Sequence, residues 1–175
     1  MPALMPYGLG WHPDIPDPRD YTPEHKEVRK TLGGLKRQTS LPKRIHWREY
    51  CPPIEDRGRH GASAACACAA LLQYFQRRAT GQIINPAKAF IHAAARRLLS
   101  QTGDGGEQLR AIWKTIVRFG VPREQDWPYE PESLAREPDA FAYASAVKFP
   151  GLAYVRLDAR GKEGDAVLRT VKCGL

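Results

Sequence analysis

Apolar positions fall into three blocks with helical spacing, set between flanks that lack it. From 62 to 78, small residues fill the first half and Leu71, Leu72, Tyr74 and Phe75 the second. That block is apolar nearly all round at its start, which predicts a central buried helix closed by Gly81. A second predicted helix opens with Asn85 as N-cap and Pro86 at its first position, and carries Phe90, Ile91, Ala94, Ala95 and Leu98 at helical spacing. A third runs from about 107 to 119, with Leu109, Ile112, Trp113, Ile116 and Val117 as its stripe and Gly120 as its stop. Strand signals are short: residues 45–48 alternate and end at Cys51-Pro52-Pro53, and residues 152–157 alternate near the end of the chain. Short helices are expected over 24–35 and 165–173, and a Pro- and Glu-rich spacer follows the loop at 121–129.

Proline at 2, 6, 13, 16, 18 and 23 excludes continuous helix from the N-terminal flank and favours an extended segment. Trp11, Ile15 and Tyr21 punctuate its turn formers, so this arm is expected to dock on the body of the protein. Length and a 42% hydrophobic content are enough for one ordinary soluble domain, or two small lobes sharing an interface.

The net charge of +8 raises the question of nucleic acid, but it is spread thinly: 11 basic against 8 acidic residues over 1–60, 9 against 4 over 61–129, and 7 against 7 over 130–175. No basic block with interleaved aromatics occurs, so the charge reads as solubility, with no nucleic-acid partner expected. Cys51, Cys66, Cys68 and Cys173 form no disulfide framework, and Cys66 and Cys68 point to different helix faces. No signal peptide and no apolar span long enough for a membrane is seen, so a cytoplasmic setting is the expectation.

Chemistry concentrates in the loop 54–63 that leads into the first apolar helix. A Gly-containing polar loop turning into a helix of small residues lifts one side chain, that of Ser63, to a helix N-terminus. His60 lies in the loop before it as a possible base. Cys66 and Cys68 could be displaced nucleophiles or metal ligands, but on a buried helix they read better as small core residues. Arg57 in the same loop carries a fixed fork of donors, or reads as a solvated loop residue.

These segments carry a family resemblance. Asp56-Arg57-Gly58-Arg59-His60-Gly61-Ala62-Ser63 resembles the D-Q-G-x-x-G-S-C motif of papain-like cysteine peptidases, and Asp104-Gly105-Gly106 resembles their N-G-G. Residues 124–129, ending Trp-Pro-Tyr, are similar to the E-x-x-Y-P-Y segment. Leu41-Pro42 with Trp47-Arg48 is similar to the L-P-x-x-x-D-W-R that opens the mature domain, and residues 10–20 resemble the leader of bacterial members.

The resemblance implies an α+β fold with a helical lobe built on the nucleophile helix and a β-rich lobe facing it across a peptide groove. On that basis residues 1–40 are an N-terminal arm, 41–135 the helical lobe and 136–175 the start of the β-rich lobe. Ser63 stands at the position of the nucleophilic Cys and Arg57 at that of the oxyanion-hole Gln. Gly61, Gly105 and Gly106 stand at substrate-binding positions, with a simple turn as the competing reading of the Gly pair. A thiolate at a helix N-terminus beside an imidazolium is a strong nucleophile, whereas an alcohol there needs a strong base. The His and Asn of the family's G-H-A and N-S-W motifs are not found in these residues. The expectation is therefore a peptidase-like chain that does not hydrolyse peptides, without metal or cofactor. The alternative is a non-catalytic relative that binds a peptide or protein in the old groove, and an arm docked across that groove would block it.

Overall fold

The computed structural model describes residues 11–15, 17–33, 44, 46–101, 105–147 and 153–156. Its elements are β1 (Trp11–His12), α1 (Lys26–Gly33), a 3-10 turn (Arg48–Tyr50), α2 (Ser63–Thr80), α3 (Lys88–Leu98), β2 (Glu107–Gln108), α4 (Leu109–Phe119), α5 (Pro131–Ala135) and α6 (Ala140–Ser145). They group into two compact units, one from the described residues of Met1–Asp14 and Trp47–Leu152, the other from those of Ile15–His46 and Ala153–Leu175.

The larger unit is organised by α3. Alanines 89, 93, 94 and 95 let neighbouring helices approach closely, and every residue from Ala89 to Arg96 is buried. α2 packs on it through Ala65, Cys68, Ala69 and Leu72, α4 through Ala111, Ile112 and Ile116, and α5 through Leu134. Truncating a fully buried Ile or Phe in such a core costs about 2–5 kcal/mol, so Phe90, Ile91 and Ile112 carry much of the unit's stability.

The helix of small residues forms as expected and ends at Gly81, whose φ of 73° gives α2 a left-handed stop and lets its N–H reach the Arg77 carbonyl at 2.8 Å. α4 ends at Gly120, at φ 78° and ψ −163°, a region closed to residues with a Cβ. Other expectations shift. The second helix starts at Lys88 with Ala87 as N-cap, because Ala87 N–H donates to the Pro122 carbonyl and Glu124 N–H to that of Asn85, which commits residues 85–87 to a backbone bridge. The third helix begins at Leu109, since Glu107 and Gln108 are used in a strand. Leu71, Phe75, Leu98 and Val117, expected inside, lie at 38–52% exposure: each helix buries only the side that faces α3 or its partners. The spacer holds two short helices, α5 opened by a proline and α6 capped by Asp139, whose Oδ1 accepts the Ala142 N–H at 2.8 Å.

Residues 48–50 form a 3-10 turn instead of continuing a strand: Tyr50 and Cys51 N–H groups are satisfied locally by the Trp47 and Arg48 carbonyls. In the smaller unit, Arg156 N–H donates to the Tyr21 carbonyl at 2.7 Å and its guanidinium pairs with Asp20 at 3.5 Å. Residues 153–156 therefore meet a turn, not a strand partner, and are irregular. Ahead of the same unit's helix, the Thr22 N–H donates to His25 Nδ1 at 2.8 Å. The helix expected at 165–173 lies outside the described residues.

Residues 11–14 join the larger unit through backbone and one carboxylate, whereas the apolar anchors expected to dock, Trp11, Ile15 and Tyr21, are 54–70% exposed. Trp11 and His12 pair in parallel with Glu107 and Gln108, and Asp14 Oδ1 accepts the Arg110 N–H at 3.0 Å. The arm thus caps α4, whose own N-cap Gln108 offers no side-chain bond. Asp14→Ala is expected to cost about 1 kcal/mol and to speed hydrogen exchange at the Arg110 amide, while Asp14→Asn preserves both; equal exchange in the three proteins would show the cap to be idle.

Candidate functional site

Ser63 is the first residue of α2, half-buried, preceded by the wholly buried Gly61 and Ala62. Ala62 supplies no side-chain cap, so the first N–H groups of the helix, with their partial positive charge, are not answered by that residue. Gly61 can be buried because it carries no side chain between the loop and the core.

The loop leading into the helix is held rigidly. Asp56 Oδ1 accepts the Gly58 N–H at 2.9 Å, an Asx turn that places Gly58 at φ 67°. Arg57 then folds back: its Nη1 donates to the His60 carbonyl, and its own carbonyl accepts the Tyr129 hydroxyl at 3.0 Å. The guanidinium at the position expected to serve an oxyanion is engaged by its own loop. His60 turns its ring edge-on to Tyr129, with centroids 6.2 Å apart.

Tyr129 is fixed in turn by a polar frame. Its N–H donates to Glu124 Oε1 at 2.8 Å, and Glu124 Oε2 accepts the Lys88 N–H at 3.3 Å. Lys88 Nζ pairs with Glu55 Oε2 at 2.5 Å and lies 3.9 Å from Glu124. Burial pushes the Glu124 carboxyl above its ordinary range, against the pull of Lys88 and the two N–H groups. The segment 124–129 was singled out by its motif; Lys88 and Glu55, far apart in sequence, carried no local signal.

The Gly pair sits on a second scaffold. Gly106 is buried and Gly105 exposed, with the Gly105 carbonyl accepting Arg96 Nη1 at 2.7 Å. A Cβ at Gly105 would meet that same Nη1 at 3.0 Å, so this glycine is explained by the approach of a buried arginine. Next to the pair, Glu107 Oε1 bonds His92 Nδ1 with both side chains wholly buried. Burial pushes the Glu107 carboxyl up, opposed by His92 and Arg96. Sequence reasoning missed this pair, which joins α3 to the strand that continues the Gly pair.

The thiols of α2 are poor nucleophiles here. Burial pushes Cys68 up to about 12, and burial also raises Cys66, against a hydrogen bond with Tyr129 and the charge of Lys88. Cys51 is exposed. Trp127 is structural, 1% exposed with Nε1 donating to the Ser133 carbonyl at 3.2 Å. Among the described residues no group of three or more His, Cys, Asp and Glu is placed to hold a metal ion, and no helix is long and apolar enough to cross a membrane.

No family model matches the chain. Its fold is similar to that of xylellain, a cysteine protease from Xylella fastidiosa, at a TM-score of 0.60 and 25% identity, over 81% of this chain and 55% of that one. It is also similar to the digestive procathepsin L2 proteinase of the Tenebrio molitor larval midgut, at a TM-score of 0.62 and 17% identity, over 83% and 45% of the two chains. An uncharacterized peptidase C1-like protein of Acanthamoeba polyphaga mimivirus is 34% identical over 74 residues, which are 42% of this chain and 24% of that protein. The chain thus spans about half of these solved relatives and a quarter of the viral one.

Two measurements check the site's construction from within. Limited iodoacetamide is expected to modify Cys51 and spare Cys68 until denaturant is added, as read by peptide mass; labelling of Cys68 in the native protein would contradict a packed α2. Glu107→Ala leaves the His92 ring buried without its partner and is expected to cost about 3–5 kcal/mol in chemical denaturation. Glu107→Gln, which can still bond Nδ1, is expected to lose distinctly less.

Proposed function

Since the chain is a relative of the papain-like cysteine proteases, we propose that the α2 N-terminus is a nucleophile position that no longer carries out peptide hydrolysis. The observation behind this reading is the state of Arg57: where the resemblance expects an amide donor aimed at an oxyanion, a guanidinium bonds the His60 carbonyl of its own loop. Ser63 compounds the change. A helix N-terminus favours an anion by about 0.3–1 kcal/mol, far too little to ionise an alcohol near neutral pH, and the His60 ring is packed on Tyr129. The fold keeps the platform of the site and alters both of the groups that act on substrate.

A second reading, retention of extended-peptide binding, is supported by β2. The backbone immediately after Gly105 and Gly106 accepts an extended segment in a ladder, since Trp11 and His12 already pair there. A groove edge that pairs with the chain's own arm is chemically able to pair with a foreign peptide, and the arm would then cover the edge in its absence. Main-chain bonds would supply the affinity.

Wild-type protein is expected to leave fluorogenic peptides uncleaved while binding some of them in fluorescence polarisation. Hydrolysis that disappears in Ser63→Ala would overturn the first reading, and absence of binding by both the full chain and an arm variant carrying Trp11→Ala and Asp14→Ala would overturn the second.

A further inference from the structure

A cavity of about 200 Å³ opens between the C-terminal half of α3 and the end of α5, away from Ser63 and its loop. Its lining includes the apolar Ala93 and Leu134 together with three arginines, Arg96, Arg97 and Arg136, and a single acidic residue, Glu137. We propose that this cavity binds a small, multiply charged oxyanion, a polycarboxylate or a phosphate compound.

The three arginines come from two elements and are held differently. Arg96 is 5% exposed and is anchored by donating Nη1 to the Gly105 carbonyl, so a charged side chain forms a buried wall of the cavity. Arg136 lies with its guanidinium carbon 4.3 Å from the centroid of the Trp127 ring, which is itself fixed by Ser133. That stacking sets the plane of the fork before any ligand arrives. Arg97 stands at the rim, its Nε 2.7 Å from Glu137 Oε1, with side chains 62% and 56% exposed.

Placement at the end of α3 accounts for Arg96 and Arg97 through the helix dipole. Arg136 belongs to another element, yet it brings a third cation to the same space. Guanidinium forks match carboxylate and phosphate oxygens in pairs, and the volume is below that of drug-sized pockets, which fits a compact anion. Glu137 acts as an internal competitor: an entering oxyanion takes its place on Arg97, at an exposed ion pair that is weak to begin with.

The test is calorimetric titration of the full chain with citrate and with pyrophosphate, each against sodium chloride at matched ionic strength. Saturable binding of either probe is expected, the preferred probe telling a planar from a tetrahedral oxyanion. Arg136→Gln and Arg97→Gln should each weaken it about tenfold, and Glu137→Gln should strengthen it severalfold. The substitutions lie at exposed positions and circular dichroism checks that they fold. Heats reproduced by chloride, binding unchanged in the arginine variants, or weakened binding in Glu137→Gln would each overturn the proposal, leaving general attraction to a basic protein.

Discussion

The buried pair of His92 and Glu107 is the constraint on which the larger unit turns. Two ionisable side chains without solvent contact are tolerable only as partners, since removing either strands the other in a low dielectric. Their bond fixes the register between α3, the helix that all its neighbours share, and β2, the strand that continues the Gly pair and leads directly into α4. Arg96, one turn further along α3, repeats the link through the Gly105 carbonyl. The segment of the Gly pair is therefore positioned by polar contacts from the core helix as well as by the pairing of β2 with β1.

The other half of the site is built by a separate network. Glu124 holds Tyr129 and Lys88, Tyr129 holds the carbonyl of Arg57, and Arg57 holds that of His60. Each is a long-range or loop contact that ties down the approach to α2.

Much of this was legible in the chain. The alanine- and cysteine-rich block announced a buried helix, and Gly81 and Gly120 announced its stop and that of α4, because positive φ leaves a local mark. The motif at 56–63 located the site loop. What stayed hidden depends on distance. His92 and Glu107 sit 15 positions apart on different elements, and Lys88 reaches Glu55 across 33; neither spacing has a periodicity. Helix boundaries shifted where tertiary pairing overrode local caps, as at Pro86, drawn into a bridge with Arg123. Exposure of Leu71, Phe75 and Val117 could not be read from apolar spacing alone, since periodicity identifies a face without saying whether a neighbour covers it.

The bond between Asp14 and Arg110 closes a loop of 96 residues. Chain entropy makes such a closure costlier than the local contacts within α3 and α4. Among the described residues 11–14 it goes with a two-residue ladder and one cap, contacts of the kind that open before a helical core does. Brief opening of the arm costs far less than unfolding the helices, and each opening exposes the β2 edge as an unpaired strand. The accessibility of that edge is thus a matter of the arm's dwell time, set by two short elements whose strength can change without disturbing the core beneath them.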